Sequence, residues 1–161
     1  MTDRMRESVF SALGELEDLV VLDLYAGSGS LGLEALSRGA KKATFVENAR
    51  DAIVKLEQNI EVCTFKDRSD VVWSDVASFI GRPADECVGL IFVDAPYSTN
   101  IGLVQRDLEN IVMNGYLADD GRIVVHRQTK DSKLQPLGLA LEWERDYGQS
   151  HIYIFGHEEE D

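Results

Sequence analysis

The feature that most constrains this chain is a short apolar run that ends in a glycine-rich turn. Leu19-Val20-Val21-Leu22-Asp23-Leu24 is nearly continuous in apolar residues, and Gly27, Gly29 and Gly32 follow at Gly-x-Gly-x-x-Gly spacing. Such a run suits a strand covered on both faces, as in a parallel sheet packed between helices. The glycines then let the chain turn sharply into a helix and bring backbone close to a ligand without an intruding Cβ. That spacing alone fits a dinucleotide site as well as other nucleotide sites, so the choice falls to the residues around it.

The alternation of strand and helix continues down the chain. Strand-like runs at Ala43 to Val46, Val71 to Trp73, Leu90 to Val93 and Arg122 to Val125 are separated by helical patterns at Ala49 to Val62, Val76 to Ile80 and Ile101 to Asn114. The Asp120-Gly121 pair reads as the turn that introduces the fifth strand. An opening helix is expected from Met5, Val9, Phe10, Leu13 and Leu16, which share one helical face. Near the end, Leu139 to Tyr147 and His151 to Phe155 are joined by only Gly148-Gln149-Ser150, which predicts an antiparallel hairpin. Periodicity therefore gives a doubly wound α/β sheet with a mixed edge.

With 161 residues, 44% of them hydrophobic, the chain suits one domain with a sizeable core. We expect that domain over residues 1–157, followed by the acidic tail Glu158-Glu159-Glu160-Asp161. No uninterrupted apolar stretch is long enough to span a membrane. The N-terminus is charged and amphipathic, without the apolar core of a signal peptide. Cys63 and Cys87 lack zinc-ligand spacing and read as reduced thiols of a cytoplasmic protein, with no metal site expected. The net charge of −13 argues against nucleic acid unless the basic residues gather in a local patch.

Three acids stand where nucleotide ligands are held in such sheets. Asp23, at the end of the first strand, can accept hydrogen bonds, directly or through water, from the cationic amino group of a methionine moiety. A pyrophosphate is disfavoured beside a carboxylate. Glu47 ends the second strand, where a carboxylate can grip both ribose hydroxyls. Asp75 follows the third strand and suits either an adenine amino group or the N-cap of the next helix. The D-x-x-A-G-S-G form of Asp23 to Gly29 resembles the S-adenosylmethionine-binding motif. The cofactor set expected on that basis is Asp23, Tyr25, Ala26, Gly27, Ser28, Gly29, Glu47, Asn48, Asp75 and Val76.

Asp94-Ala95-Pro96-Tyr97 closes the fourth strand and resembles the D-P-P-Y signature of amino-group methyltransferases, with Ala95 where the pattern usually has proline. An exocyclic base amine is a poor nucleophile, because its lone pair is delocalised into the ring. Asp94 and the Ala95 carbonyl can hold its N–H groups, turn the lone pair towards a methyl donor and favour the charge developing on nitrogen. The Tyr97 ring offers a stacking face for the base. Five parallel strands and a closing hairpin also resemble the seven-stranded, Rossmann-like class I methyltransferase sheet, mostly parallel with one reversed strand.

Across its length the chain resembles the bacterial family that methylates the N2 amino group of a guanine in small-subunit (16S) ribosomal RNA. The resemblance is carried by Thr2-Asp3-Arg4-Met5-Arg6-Glu7, the Asp23 to Gly32 loop, Asp94 to Tyr97 and Tyr147-Gly148-Gln149-Ser150. It implies an RNA substrate, expected within a small-subunit particle, with Arg4, Arg6 and Tyr97 towards it. Members of that family carry a basic β-hairpin arm ahead of the first helix. The sequence begins at Met1, so the arm is expected either to lie outside it or to be missing from this member. Other amino acceptors, adenine N6 or protein glutamine, fit the same loop, although Asp at position 94 weighs against glutamine. A nicotinamide-dependent oxidoreductase and a non-catalytic RNA-binding relic are the rivals from other classes. The remaining polar residues read plainly. His126, His151 and His157 are expected as surface or strand residues, Trp73 and Trp143 as core, and Arg127, Lys130 and Lys133 as a solvated loop.

Overall fold

The computed structural model describes residues 1–159; Glu160 and Asp161 of the expected tail lie outside the described residues. The chain opens with a helix, α1 (Asp3–Leu13), capped by the Thr2 hydroxyl, which accepts from the Met5 N–H at 3.2 Å. It stops at Gly14 (φ 72°), whose N–H donates to the Phe10 carbonyl. Leu16 is buried but lies beyond the helix end.

Strand β1 (Val20–Leu24) then leads through the glycine turn into α2 (Ser30–Ser37), and β2 (Lys42–Glu47) into α3 (Arg50–Val62). A single 3₁₀ turn, Lys66–Arg68, precedes β3 (Ser69–Trp73), followed by α4 (Val76–Ile80), β4 (Val88–Val93) and α5 (Ile101–Met113). The chain finishes with β5 (Leu117–Gln128), β6 (Leu139–Tyr147) and β7 (Ser150–His157).

These strands form one seven-stranded sheet in the order β3-β2-β1-β4-β5-β7-β6. All neighbours from β3 to β5 are parallel, and β7 runs antiparallel to both β5 and β6, so β7 is the one reversed strand. The expected architecture is thus present, hairpin included.

The apolar runs read as buried on both faces are so. Val21, Leu90, Phe92, Val124, Ile152 and Ile154 face a core completed by α1, α2 and α3. Leu22, Leu24, Ile91, Val93, Ile123 and Val125 face a second core completed by α4 and α5. Successive residues of one strand therefore serve opposite cores, as a pleated strand requires.

One element differs from expectation. Asp120-Gly121 does not introduce β5 but lies within it. Val88 pairs with Leu117 and Leu90 with Arg122, so residues 118–121 bulge out of an otherwise continuous strand. At its other end β5 runs on through His126 and Arg127, past the apolar stretch that announces it.

β1 lies between β2 and β4, with Leu24 opposite Val46 on one side and Val93 on the other. The segments that leave these three strands, at Tyr25, Glu47 and Asp94, therefore meet at one edge of the sheet. This is the topological switch point, where open α/β sheets bind ligands.

Candidate active site at the carboxyl ends of the central strands

The glycine turn is shaped by three different demands. Gly27 has φ 57°, and a Cβ there would meet nothing within 4 Å, so its face is open to a ligand. At Gly29 (φ 85°) a Cβ would fall 2.3 Å from Leu56 Cδ1, and at Gly32 it would fall 2.3 Å from Phe45 Cε1. These two are glycine because α2 sits directly on α3 and β2. Tyr25 also takes a left-handed conformation (φ 58°). Its hydroxyl donates to the Asp107 carboxylate on α5 at 2.5 Å. Burial, with Asp107 adding to it, pushes the Tyr25 phenol well up, and burial likewise raises the Asp107 carboxyl.

Asp23 is 1% exposed, and its Oδ2 accepts from the Gly32 N–H at 3.0 Å. It braces the turn from beneath rather than forming the wall of the cavity above it. Burial lifts its carboxyl well above the ordinary value; the Gly32 bond opposes this, and the charges of Asp94 and Glu47 reinforce it.

Glu47 stands opposite the turn. Its Oε1 accepts from the Gly27 N–H at 2.8 Å, and its Oε2 from the Asn48 and Ala49 N–H groups at 3.0 and 2.8 Å. Asp75 is the N-cap of α4, as one of its two expected roles requires, accepting from the Ser78 N–H at 3.3 Å. Hydrogen bonding from Ser78 holds its carboxyl below the ordinary range. Trp73, expected in the core, is 65% exposed, and its indole N–H donates to the Asn48 carbonyl beside the site.

A cavity of about 610 Å³ joins these parts, a size typical of small-ligand sites. Of the expected cofactor residues, Tyr25, Ala26, Gly27, Ser28, Glu47, Asn48, Asp75 and Val76 line it, and so do Asp94, Ala95, Pro96 and Tyr97. Gly29 joins Asp23 outside the wall, held by helix packing. Met1 reaches the rim, but Arg4 lies in a separate groove with Trp143 and Arg145, and Arg6 pairs with Asp3 at 2.5 Å.

The loop after β4 has two partners that carry no ligand spacing in the sequence; His126, expected as a surface or strand residue, lies on β5. His126 is 5% exposed and touches both ends of the loop. Its Nδ1 lies 2.9 Å from Asp94 Oδ1, and its Nε2 lies 2.8 Å from the Tyr97 hydroxyl, which also meets Ser150 Oγ at 2.9 Å. Arg127, expected in a solvated loop, is 1% exposed. Its guanidinium donates to the carbonyls of Ala95 (3.3 Å), Pro96 (3.1 Å) and Thr99 (2.8 Å), and to Asp131 at 3.1 Å. A sequence signal for both existed. They directly extend the buried run Ile123-Val124-Val125 towards the carboxyl end of a central strand, where polar residues tend to face a site. His151 is also buried, on β7 between the carboxylates of Asp146 and Glu144, and His157 meets the Leu117 carbonyl.

Chemically, the cavity sets an open backbone turn and a ribose-competent carboxylate on one side. On the other stand a carboxylate acceptor and an aromatic ring that is 42% exposed. Among the described residues, no group of three or more His, Cys, Asp or Glu side chains could hold a metal ion, and no helix is long and apolar enough to cross a membrane.

The chain is similar to known proteins over nearly its whole length. The family model described as Conserved hypothetical protein 95 matches residues 1–156. Ribosomal RNA small subunit methyltransferase D of Escherichia coli (strain K12) is 34% identical over 160 residues, covering 98% of this chain and 78% of that protein. The Haemophilus influenzae protein of the same name is 29% identical over 150 residues, covering 91% of this chain and 76% of that one. Among solved structures, the Escherichia coli protein yhhF superposes with a TM-score of 0.90 at 33% identity, over 99% of this chain and 89% of that one.

Proposed function

The chain belongs to the Conserved hypothetical protein 95 family, and from that premise we propose that it transfers a methyl group from S-adenosylmethionine to the N2 amino group of a guanine in 16S ribosomal RNA. The observation that carries this reading is the placement of Asp94 and Tyr97 across one cavity from the Gly27 turn and Glu47. A dinucleotide oxidoreductase gives no use for an Asp-Ala-Pro-Tyr loop at that position. The relatives named as ribosomal RNA methyltransferases, matched over nearly the whole chain, support the substrate class.

The residues fit that cofactor. Gly27 leaves room for close backbone approach, and Glu47 is the ribose acceptor. Glu47 and Asp94 are near enough for their charges to act on Asp23, and this acidic setting favours a ligand bearing positive charge. When bound, the cofactor would supply an electrophilic methyl on a sulfonium.

The protein's contribution is orientation, for which about 7–11 kcal/mol is the general upper range. Tyr97 stacks on the guanine and brings its amino group to Asp94. The Asp94 carboxylate accepts one N–H, and the Ala95 carbonyl accepts the other through the lone pair that Arg127 does not use. The nitrogen lone pair is thereby turned out of conjugation and towards the donor. Asp94 then takes the proton that the methylated nitrogen sheds. No covalent enzyme intermediate is required.

We read residues 1–157 as a single catalytic domain, because both cores are built on one sheet that ends at His157. The net charge of −13 favours a folded small-subunit particle over naked RNA as substrate, since the excess of acids opposes phosphate. A ribosomal substrate places the protein in the cytoplasm. The test is nucleoside mass spectrometry on ribosomal RNA from cells that lack the gene. N2-methylguanosine should fall by one residue per 16S molecule and return on complementation. An unchanged content, or loss of a methylated adenosine instead, would contradict the reading.

A further inference from the structure

We propose that His126 is a positioning residue that ties the amine acceptor Asp94 to the stacking ring Tyr97, so that one side chain sets both base capture and amine orientation. This rests on the reading of Asp94 and Tyr97 given above. His126 follows Val125, whose partner across the parallel ladder is Val93, so the histidine emerges beside Asp94 as a consequence of register. From there it spans the loop, with its ring edge-on to Tyr97 at 5.4 Å between centroids.

The partners fix the protons. A carboxylate only accepts, so Nδ1 carries the hydrogen that faces Asp94 at 2.9 Å. In the neutral imidazole, Nε2 then accepts from the Tyr97 hydroxyl at 2.8 Å, and the Tyr97 oxygen accepts from the Ser150 hydroxyl at 2.9 Å. Each member of the row has a partner of the right kind.

Two consequences bear on catalysis. The bond from Nδ1 takes one lone pair of Asp94 Oδ1 and fixes the carboxylate plane, so that Oδ2, which His126 does not touch, faces the substrate amine. An exposed tyrosine ring would otherwise sample several rotamers. With its hydroxyl held by His126 and Ser150, that freedom is lost before the base arrives, and binding no longer bears the cost. The sequence reading gave Tyr97 a role for its ring face; the geometry adds a role for its hydroxyl.

Two substitutions separate the halves of this tie. The amide nitrogen of asparagine stands about where Nδ1 stands, and the amide of glutamine about where Nε2 stands. His126→Asn should keep the Asp94 bond and lose Tyr97; losing that one neutral hydrogen bond should raise KM for the RNA about tenfold while kcat stays within about threefold. His126→Gln should keep Tyr97 and lose the charged bond to Asp94, lowering kcat by roughly 10- to 100-fold with a smaller change in KM. Steady-state kinetics on small-subunit particles, with thermal melts to show that both variants fold, supply the first readout. Equal kcat and KM effects in the two variants, or no effect in either, would overturn the proposal.

A second readout needs no activity. Nitrogen-15 NMR of the imidazole should show the proton on Nδ1, and Tyr97→Phe should shift Nε2 and leave Nδ1 nearly unmoved. An Nε2 signal indifferent to Tyr97→Phe overturns the tie. If the wild-type chain methylates no 16S guanine, the functional reading falls, and the NMR result alone decides whether the histidine joins the two residues.

Discussion

The guanidinium of Arg127 donates to the carbonyl oxygen of Ala95 at 3.3 Å from within the protein interior. The same group reaches the Pro96 and Thr99 carbonyls, so a single side chain fixes the backbone on both sides of Tyr97. In the D-P-P-Y pattern a second proline stiffens the position of Ala95. Here the planar five-donor fork of an arginine supplies that stiffness from outside the loop.

Arg127→Lys should therefore be damaging although charge is kept, because an ammonium cannot span three carbonyls in the same geometry. We expect kcat to fall about tenfold with cofactor affinity preserved, and Arg127→Ala to destabilise the fold by about 1–3 kcal/mol as the carbonyls lose their donor. Kinetics and denaturant melts check both. A lysine variant with wild-type kcat would remove the clamp from the account.

Glu47 accepts three backbone N–H groups, so Glu47→Ala would disturb the turn as well as the ribose contact. Glu47→Gln keeps one accepting oxygen and so disturbs the turn less, while its amide nitrogen faces N–H groups that a carboxylate oxygen accepts in the wild type. Calorimetry should show S-adenosylmethionine binding weakened roughly 10- to 100-fold, the range for hydrogen bonds to a charged group, with kcat at saturation little changed. An unaltered Kd would remove Glu47 from the cofactor site.

The buried Asp23 gives a pH prediction. Its folded-state carboxyl titrates above the ordinary 3.8, chiefly because burial disfavours the charge. The stability it contributes is therefore fully present below 3.8 and is lost as pH rises through the raised folded value. Asp23→Asn can still accept from Gly32 and never ionises. It should melt at or above the wild-type temperature near neutrality, with the difference vanishing as pH drops below that ordinary value. A variant that is less stable by a constant amount at every pH would show that Asp23 is ionised at no cost.

Much of this was legible in the sequence, for identifiable reasons. The buried run Val20 to Leu24, the glycine spacing and the short link at Gly148-Gln149 are local signals, and they predict the sheet and its reversed strand. The wall of the cavity was legible too, because the ends of parallel strands converge at the switch point. Hidden were the contacts that depend on register. His126 and Arg127 have no ligand spacing, and only the pairing of β5 with β4 brings them to Asp94 and Ala95. Asp23 was visible as an acid beside a ligand loop, whereas its bond to Gly32 beneath the turn depends on how α2 seats on β2. Trp73 was misplaced because β3 is the edge strand of the sheet, where a large apolar residue stays exposed.

The charge of the chain gives a substrate prediction. With 29 Asp and Glu against 16 Lys and Arg, the net field opposes phosphate, so affinity for naked 16S RNA should be low, and methyl incorporation into small-subunit particles should be faster at every salt concentration. Particles can also present the guanine already unstacked, which spares the energy of exposing it. Filter binding and tritium incorporation over a salt series compare the two substrates. Equal rates on both would show that docking to a folded particle is not what the enzyme needs.

If Asp94 orients a guanine amino group for methyl transfer, its removal should abolish the product and spare cofactor binding. The most direct measurement incubates wild-type protein and Asp94→Ala with deuteromethyl S-adenosylmethionine and undermethylated small subunits, followed by mass spectrometry of the digested 16S nucleosides. We expect deuterated N2-methylguanosine from the wild type, loss of that product in Asp94→Ala by a factor of at least about 100, and nearly equal cofactor affinity in the two proteins. Label appearing in a methylated adenosine, or an Asp94→Ala protein that turns over at the wild-type rate, would contradict that role of Asp94.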